Sequence, residues 1–561
     1  MIKRTLKILA KVAWFIPAFL LWASFPPISE KTDVFFALAP LIWFARNRTP
    51  RESFKLWFLN GFLFWVGTLA WMPAIEENGG PLILVVAGWG GLAAYSALYF
   101  GLFGYLSSRI WQKTGHAYWK RILAIVLAEP VLWAGLELVR SNLMGGFAWN
   151  HLGVPVVKSG FGAGAALGGV YVLSMMVVLV NGTVASIAER ILRPWWAARK
   201  RQLRLGECEI EVSRSDGLGN VNGLELPRFA RSVETLLPML VIFGLHFCGK
   251  RYVPEVEEEN SKDLSVGLIQ RNFPCVFKES DKNPLSIYSE LFSGLRDKSP
   301  DLLVLPESAF SEFKECYIGT RRCEDVANIL LALSGAKGVV GGGCRESLGK
   351  MYNSAALYQR DIKNPGRTTM QVYDKVHLVP FGEYIPGDEL FPSLKDFAPV
   401  GSCTRGEPRL LDFNGIKLGV GICFEDTDSQ LVRKFAEMGA DVLVFITNDS
   451  WFLGSDETEQ HAWQAVARSV ETGLPVIRVG NSGVTTVYYP DGKCWQLEGD
   501  RKGYPLVDEK GCGYVKLAVP CGSSKIETPY VRFGDIPLAA LFASVLVFAV
   551  PLRIWRNKNK A

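Results

Sequence analysis

Three side chains stand at the ends of apolar runs, where a folded chain seldom leaves a charge or a reactive group idle. Glu307 closes DLLVLPE, Lys375 lies in YDKVHLVPFGEYIP, and Cys423 closes KLGVGIC. Charged groups at the ends of core strands are costly unless paired or used. Strand carboxyl ends are also where α/β sheets build their sites. The three types together describe one chemistry. A thiolate attacks a carbonyl carbon, a carboxylate takes the thiol proton, and an ammonium stabilises the thiolate and the oxyanion that forms. Singly, each has an ordinary reading: a solvated strand end for the Glu or Lys, a small apolar residue for the Cys.

Other arrangements are weaker. The five histidines, at 116, 151, 246, 377 and 461, form no cluster with zinc spacing. His377 follows Lys375 by two residues and shares its face if that stretch is extended, so a Cys423–His377 pair is a rival. There is no G-x-S-x-G elbow. GVVGGGC has no following Lys-Ser/Thr and is turn and strand packing, not a phosphate loop. No motif calls for a metal or a cofactor.

The elements that must position these residues alternate β-branched runs with helical stretches, an α/β pattern. The runs are SVGLIQ (265–270), DLLVLPES (301–308), KGVVGGG (337–343), NSAALYQ (353–359), KLGVGICFED (417–426) and DVLVFITNDSWF (441–452), then PVIRVGNSG and VTTVYYP. Helical stretches such as SQLVRKFAEMGA and EQHAWQAVARSVETG separate them. Strands this apolar are buried on both faces, as in sheets covered by helices.

The rest of the chain is of another kind. Of 561 residues, 49% are hydrophobic and only 21% charged, the profile of a protein with a membrane part. Eight apolar runs, at about 6–25, 33–45, 55–75, 82–106, 121–140, 162–186, 235–250 and 535–553, are candidate spans. The second is short enough to be re-entrant. Basic loops at the N-terminus, 46–55, 107–121, 193–204 and 553–561 fall on one side if all eight cross, with both termini cytoplasmic. The first run has no convincing cleavage site and is not read as a signal peptide. The expected organisation is a membrane domain over 1–250, an extracytoplasmic block over 251–534, and a final span with a cytoplasmic tail over 535–561. The net charge of +6 tracks the membrane flanks, so nucleic acid finds no support as the partner. Nine of eleven cysteines lie in the block; Cys316/Cys323 and Cys512/Cys521 are close enough for local disulfides, and Cys208 is expected to be reduced.

LPES, YDKVHLVPFGEYIP and GVGICFED, in this order, resemble the Glu–Lys–Cys triad of the nitrilase (carbon–nitrogen hydrolase) superfamily. KVHLVPFGEYIP, YNSAALY, FITNDSWF, RVGNSGVTTVYYPDG and the loop ELVRSNLMGGFAWNHLG are similar to one branch, the apolipoprotein N-acyltransferases. The resemblance implies a multi-pass helical membrane domain joined to an α-β-β-α sandwich. It makes Glu307 the general base, Lys375 the oxyanion stabiliser and Cys423 the nucleophile, with Glu383 a second essential glutamate and Glu425 an important acid. Phe424 stands where Tyr is common, and Asn448 and Trp451 are supporting residues. RNFPCVFKES (271–280) departs from the family's G-N-x-P-Q-x-x-K-W: Arg271 replaces Gly, Cys275 Gln and Glu279 Trp. The implied reaction moves an acyl chain from a membrane phospholipid, through a Cys423 thioester, to the N-terminal amine of an S-diacylglyceryl cysteine on an apolipoprotein. The implied place is the bacterial inner membrane, with the block on the periplasmic side. A membrane-tethered amidase with water as acceptor, and a non-catalytic lipid-binding scaffold, are the alternatives.

Overall fold

The computed structural model describes residues 13–78, 80–115, 117–205, 228–254, 261–273, 283–295, 297–361, 367–385, 387, 402–452, 454–499, 502–520 and 525–550. Cys208, Cys275, Glu279 and Cys521 lie outside them.

Twelve strands form two sheets. The first contains β1 (Ser261–Gln270), β2 (Leu302–Val304), β3 (Gly338–Ser347), β4 (Lys350–Arg360) and β5 (Thr368–Asp374). The second contains β6 (Leu411–Phe413), β7 (Ile416–Ile422), β8 (Val442–Thr447), β9 (Val476–Gly480), β10 (Thr486–Tyr488) and β11 (Cys494–Gln496). β12 (Gly511–Pro520) returns to the first sheet, giving the orders β12-β1-β2-β3-β4-β5 and β11-β10-β9-β8-β7-β6. β1–β2–β3 and β7–β8–β9 run parallel and their neighbours antiparallel.

Alternation along the strands fixes the layers. Leu302 and Val304 join a core with Leu418, Val420 and Ile422 of the other sheet. Leu303 and Leu305 face Tyr288, Phe292 and Leu330, on helices Pro284–Ser293 and Arg321–Ser334. Helices Ser429–Glu437 and Glu457–Thr472 belong to the second sheet's half. The result is the α-β-β-α sandwich that the resemblance implies. β12 was not legible in the sequence: it pairs along all of β1, but its residues alternate with exposed ones at a sheet edge.

Four helical segments are long and apolar enough to cross a membrane: Pro50–Asn78, Leu82–Thr114, Tyr118–Gly145 and Val154–Leu192. The runs at 33–45, 235–250 and 535–553 appear as shorter apolar helices, Val34–Arg46, Thr235–Lys250 and Ile536–Ala549. The run at 6–25 contributes helix Ile16–Ala23 among the described residues. Length and composition thus support four spans among the described residues, against eight read from the sequence.

Helix Glu457–Thr472 joins the two parts, and every residue in it except Glu459 is buried. Gln460 accepts from Trp149 Nε1 (3.0 Å) and Asn150 Nδ2 (3.3 Å), and donates to the carbonyls of Pro26 (3.3 Å) and Thr68 (3.2 Å). Glu471 accepts from the backbone N–H of Val170 at 2.8 Å. That N–H follows a break in the membrane helix at Gly168–Gly169. Gly169 has φ +71°, and a Cβ there meets the Tyr530 ring at 2.9 Å, so no other residue fits easily.

Replacing Gln460 strands these buried groups at about 1–3 kcal/mol for each one left unpaired. Gln460→Leu is expected to lower the thermal unfolding temperature of the detergent-solubilised protein. Gln460→Glu, which keeps the acceptor for Trp149 and Asn150, should lie between it and the parent in the same melt.

Candidate active site

β7 ends at Ile422, and Cys423 opens a 3₁₀ turn, Cys423–Thr427, with φ +54°. A non-glycine residue in the left-handed region needs surrounding support. Glu425 supplies it. Its Oε2 accepts from the N–H of Ile422 at 2.7 Å, tying the turn to the strand before it. Its Oε1 accepts from the N–H groups of Val376 (2.7 Å) and His377 (2.9 Å), and Tyr373 Oη donates to both oxygens. One carboxylate thus fastens the cysteine turn to the lysine loop. Burial pushes Glu425 up to about 7, against the pull of Lys375 and these N–H groups.

Lys375 follows β5 directly, and its own N–H donates to Asn353 O at 2.9 Å. Its ammonium is buried, 3.0 Å from Glu383 Oε1 and 4.0 Å from Glu307 Oε1. Burial works against the charge, but Glu383 and Glu307 more than offset it and hold Lys375 above its ordinary value. Glu307 leaves β2 through Pro306 and is followed by Ser308 at φ +64°. Burial raises the Glu307 carboxyl; Lys375 opposes the rise and Glu383 adds to it. Cys423 feels both charges. Burial and Glu307 push its thiol well above the usual range, while Lys375 and the Thr447 hydroxyl oppose them.

The site therefore gathers Glu307, Lys375, Glu383, Cys423 and Glu425, all expected from the sequence. Phe424 lies above them, stacked on Trp149 (6.3 Å between centroids, 10° between planes) and edge-on to His377 at 5.7 Å. Asn448 braces the next turn, accepting from Ser450 Oγ (2.6 Å) and Asn481 Nδ2 (2.9 Å). Trp451 sits where the two parts meet: its carbonyl accepts from Asn78 Nδ2 at 2.8 Å.

The rival Cys423–His377 pair does not form. The chain stops being extended after Asp374, and the bend that delivers two N–H groups to Glu425 breaks the i, i+2 alignment with Lys375. His377 Nδ1 instead lies 2.8 Å from Asp428 Oδ2.

Asn353 was not singled out from the sequence. From β4 its amide donates to Glu307 Oε1 (2.7 Å) and to Glu383 Oε1 (2.6 Å), holding both carboxylates around Lys375. The available signal was an amide just ahead of the apolar run AALY within β4. Cys316 and Cys323 are free thiols in mutual hydrogen-bond contact.

Beyond Thr447 lies a buried charge network. Arg478 donates to Asp426 Oδ2 and Asp449 Oδ2, each at 3.1 Å. His461 places its two ring nitrogens 3.0 Å from Asp449 and Asp426. Burial disfavours its charge, but these carboxylates push His461 up to about 10. Asp449, Glu457 and His461 have ligand atoms within 4.8 Å of one another, a spacing a metal ion accepts. Arg478 and protonated His461 already neutralise Asp426 and Asp449, which leaves a cation little to gain there.

Removing the Glu425 acceptors should unlock the turn. Glu425→Gln presents an amide N–H₂ to at least one donor and is expected to slow the reaction of Cys423 with an acyl-ester probe by about 10²-fold. Glu425→Gln reacting at the parent rate in a stopped-time mass measurement would show that the turn stands without it.

Residues 17–183 match the apolipoprotein N-acyltransferase N-terminal domain, and residues 278–503 match carbon-nitrogen hydrolase. The apolipoprotein N-acyltransferase of Geobacter metallireducens is 30% identical over 94% of this chain and 92% of its own length. That of Chromobacterium violaceum is 26% identical, covering 92% and 88%. A solved amidase from Nesterenkonia sp. AN1 aligns at 18% identity over 51% of this chain and 98% of its own, with TM-score 0.34. With both domains matched in order and a relative alike along nearly its whole length, the chain belongs to the apolipoprotein N-acyltransferase family.

Proposed function

We propose that this acyltransferase of lipoprotein maturation works through a thioester on Cys423. The observation that carries the reading is the buried cluster in which one lysine faces two glutamates beside a cysteine held in a left-handed turn. In the first step Glu307 takes the thiol proton as the sulfur attacks the ester carbonyl of a membrane phospholipid. Lys375 stabilises the oxyanion, the C–O bond breaks, and lysophospholipid leaves with the proton from Glu307. In the second step the α-amine of an S-diacylglyceryl cysteine attacks the thioester. Glu307 takes the amine proton, the C–S bond breaks, and the thiolate leaves against Lys375 and is reprotonated. Glu383 and Asn353 hold Lys375 and Glu307 in register.

Both substrates are amphiphiles, and the junction helix sets the site against the membrane part, which supports access from the bilayer. The protein is a membrane protein; we place it in the inner membrane, with 1–250 as membrane domain, 251–534 as a periplasmic catalytic domain, and 535–561 as last span and tail. Phe424, Trp149 and His377 form an aromatic cover that keeps water from the thioester.

Incubation with phospholipid should leave an acyl mass on Cys423 that hydroxylamine removes, that Cys423→Ala lacks, and that a diacylglyceryl-cysteine peptide discharges. Discharge by water alone would favour the amidase alternative, and no adduct on folded protein would sink the thioester. The pH dependence has a definite sign. Glu307 acts as base only when deprotonated, and burial raises its carboxyl. The acylation rate should therefore fall as pH drops through an apparent pKa above the ordinary carboxylate range. Glu307→Gln should slow acylation by about 10²–10⁴-fold and abolish that acid limb.

A further inference from the structure

Arg271 is a cation buried in the layer between the first sheet and its outer helices, and the reaction as described does not use it. It follows the last residue of β1, on a segment pinned from several sides. Gln270 Nε2 donates to the carbonyls of Leu506 (2.9 Å) and Glu509 (3.0 Å), and Asn272 N–H donates to Asn481 O at 2.7 Å. From this fixed base the guanidinium does three things. Nη2 donates to the backbone carbonyl of Glu307 at 3.1 Å. Nη1 is ion-paired with Glu312 and lies 3.4 Å from Tyr288 Oη.

The bond to Glu307 O decides where the carboxylate of Glu307 stands. Just after β2 the chain turns through Ser308 at φ +64°, which takes this carbonyl out of the sheet ladder. The layer around it is apolar, built of Leu305, Phe310, Phe313 and the ring of Tyr288. A carbonyl there needs a donor or the turn gives way. Among the described residues Arg271 is that donor. Gly342 closes the turn from the other side: a Cβ there meets Glu307 Cα at 2.8 Å. The backbone of Glu307 is thus gripped between a glycine of β3 and a buried guanidinium.

We propose that Arg271, anchored by Glu312 and Tyr288, is a positioning residue for the reaction: it fixes the Glu307 backbone so that the carboxylate meets Asn353 and Lys375. Lysine replaces it only in part, because one ammonium does not span the Glu307 carbonyl and the Glu312 carboxylate as the planar fork does. The inference rests on Glu307 being the base.

The test is a double-mutant cycle on the full-length protein, reading the single-turnover rate of acyl-Cys423 formation by intact mass and its pH profile. Arg271→Met is expected to slow acylation by about 10²-fold. Its acid limb should move to higher pH, because a displaced Glu307 loses the nearby Lys375 charge that opposes its protonation. Arg271→Lys should recover part of the rate. In a Glu307→Gln background, followed over hours, Arg271→Met should cost nothing further. Additive losses, or an acid limb that stays in place while only the melting temperature falls, overturn the positioning role. If Arg271→Met does not fold, Glu312→Gln takes its place in the same cycle with the same two readouts. Glu307→Gln alone reports on the underlying reading. At the parent rate it removes the proposed base and this inference with it; if it is slow and the cycle is additive, only Arg271 is excluded.

Discussion

The carboxylate of Glu425 is the constraint on which the site depends. It is fully buried, it accepts from three backbone N–H groups and a phenol, and these donors come from two different sheets. It couples the end of β7, where Cys423 sits, directly to the loop after β5, where Lys375 sits. Its cost is electrostatic. Glu307, Glu383 and Glu425 place three carboxyl groups around one ammonium, and burial raises Glu307 and Glu425 in response. The same burial pushes the Cys423 thiol well above its ordinary range. A thiol held up in this way beside a carboxylate of raised basicity is the arrangement in which proton transfer accompanies attack, as the proposed thioester route requires.

A second constraint sets this chemistry against the bilayer. Helix Glu457–Thr472 is buried on all sides but carries Gln460, Gln464, Arg468 and Glu471, residues a core helix normally avoids. Gln460 reaches the Pro26 and Thr68 carbonyls, Gln464 reaches Asn150, and Glu471 takes the Val170 N–H freed by the helix break while pairing with Arg468 at 2.8 Å. Arg468 also donates to Thr427 O at 3.0 Å, the end of the cysteine turn. The membrane helix break, the junction helix and the cysteine turn are therefore consecutive links of one hydrogen-bonded chain.

Much of this was legible in the sequence, because it rested on local pattern. The apolar strand runs, the chemistry of a thiol with a carboxylate and an ammonium, and the membrane half needed no knowledge of contacts. What failed needed tertiary pairing. Asn353 bridges two glutamates only because β4 lies between β3 and β5, which no spacing in the chain encodes. His377 looked like a partner for Cys423 on the assumption of an extended strand, and the bend created by Glu425 removed it. The second sheet's Arg478 reads as an ordinary strand residue until Asp426 and Asp449 arrive beside it. The sequence counts eight spans against four long helices among the described residues for a simpler reason: three apolar runs are shorter as helices than the roughly 20 residues a crossing takes.

Phe424 shows how packing and chemistry meet. The residue after the proposed nucleophile lies in the 3₁₀ turn, so its side chain must leave the sheet, and it leaves toward the membrane part. There it stacks on Trp149, whose indole N–H is held by Gln460 of the junction helix. The ring next to Cys423 is thus positioned from the membrane side, not from the sheet. A flat aromatic face needs no hydroxyl for this, which is why Phe can stand where the family commonly has Tyr. The cover beside Cys423 is built from rings of both parts of the chain. On the proposed thioester route, water exclusion is therefore a property of the junction between the two parts.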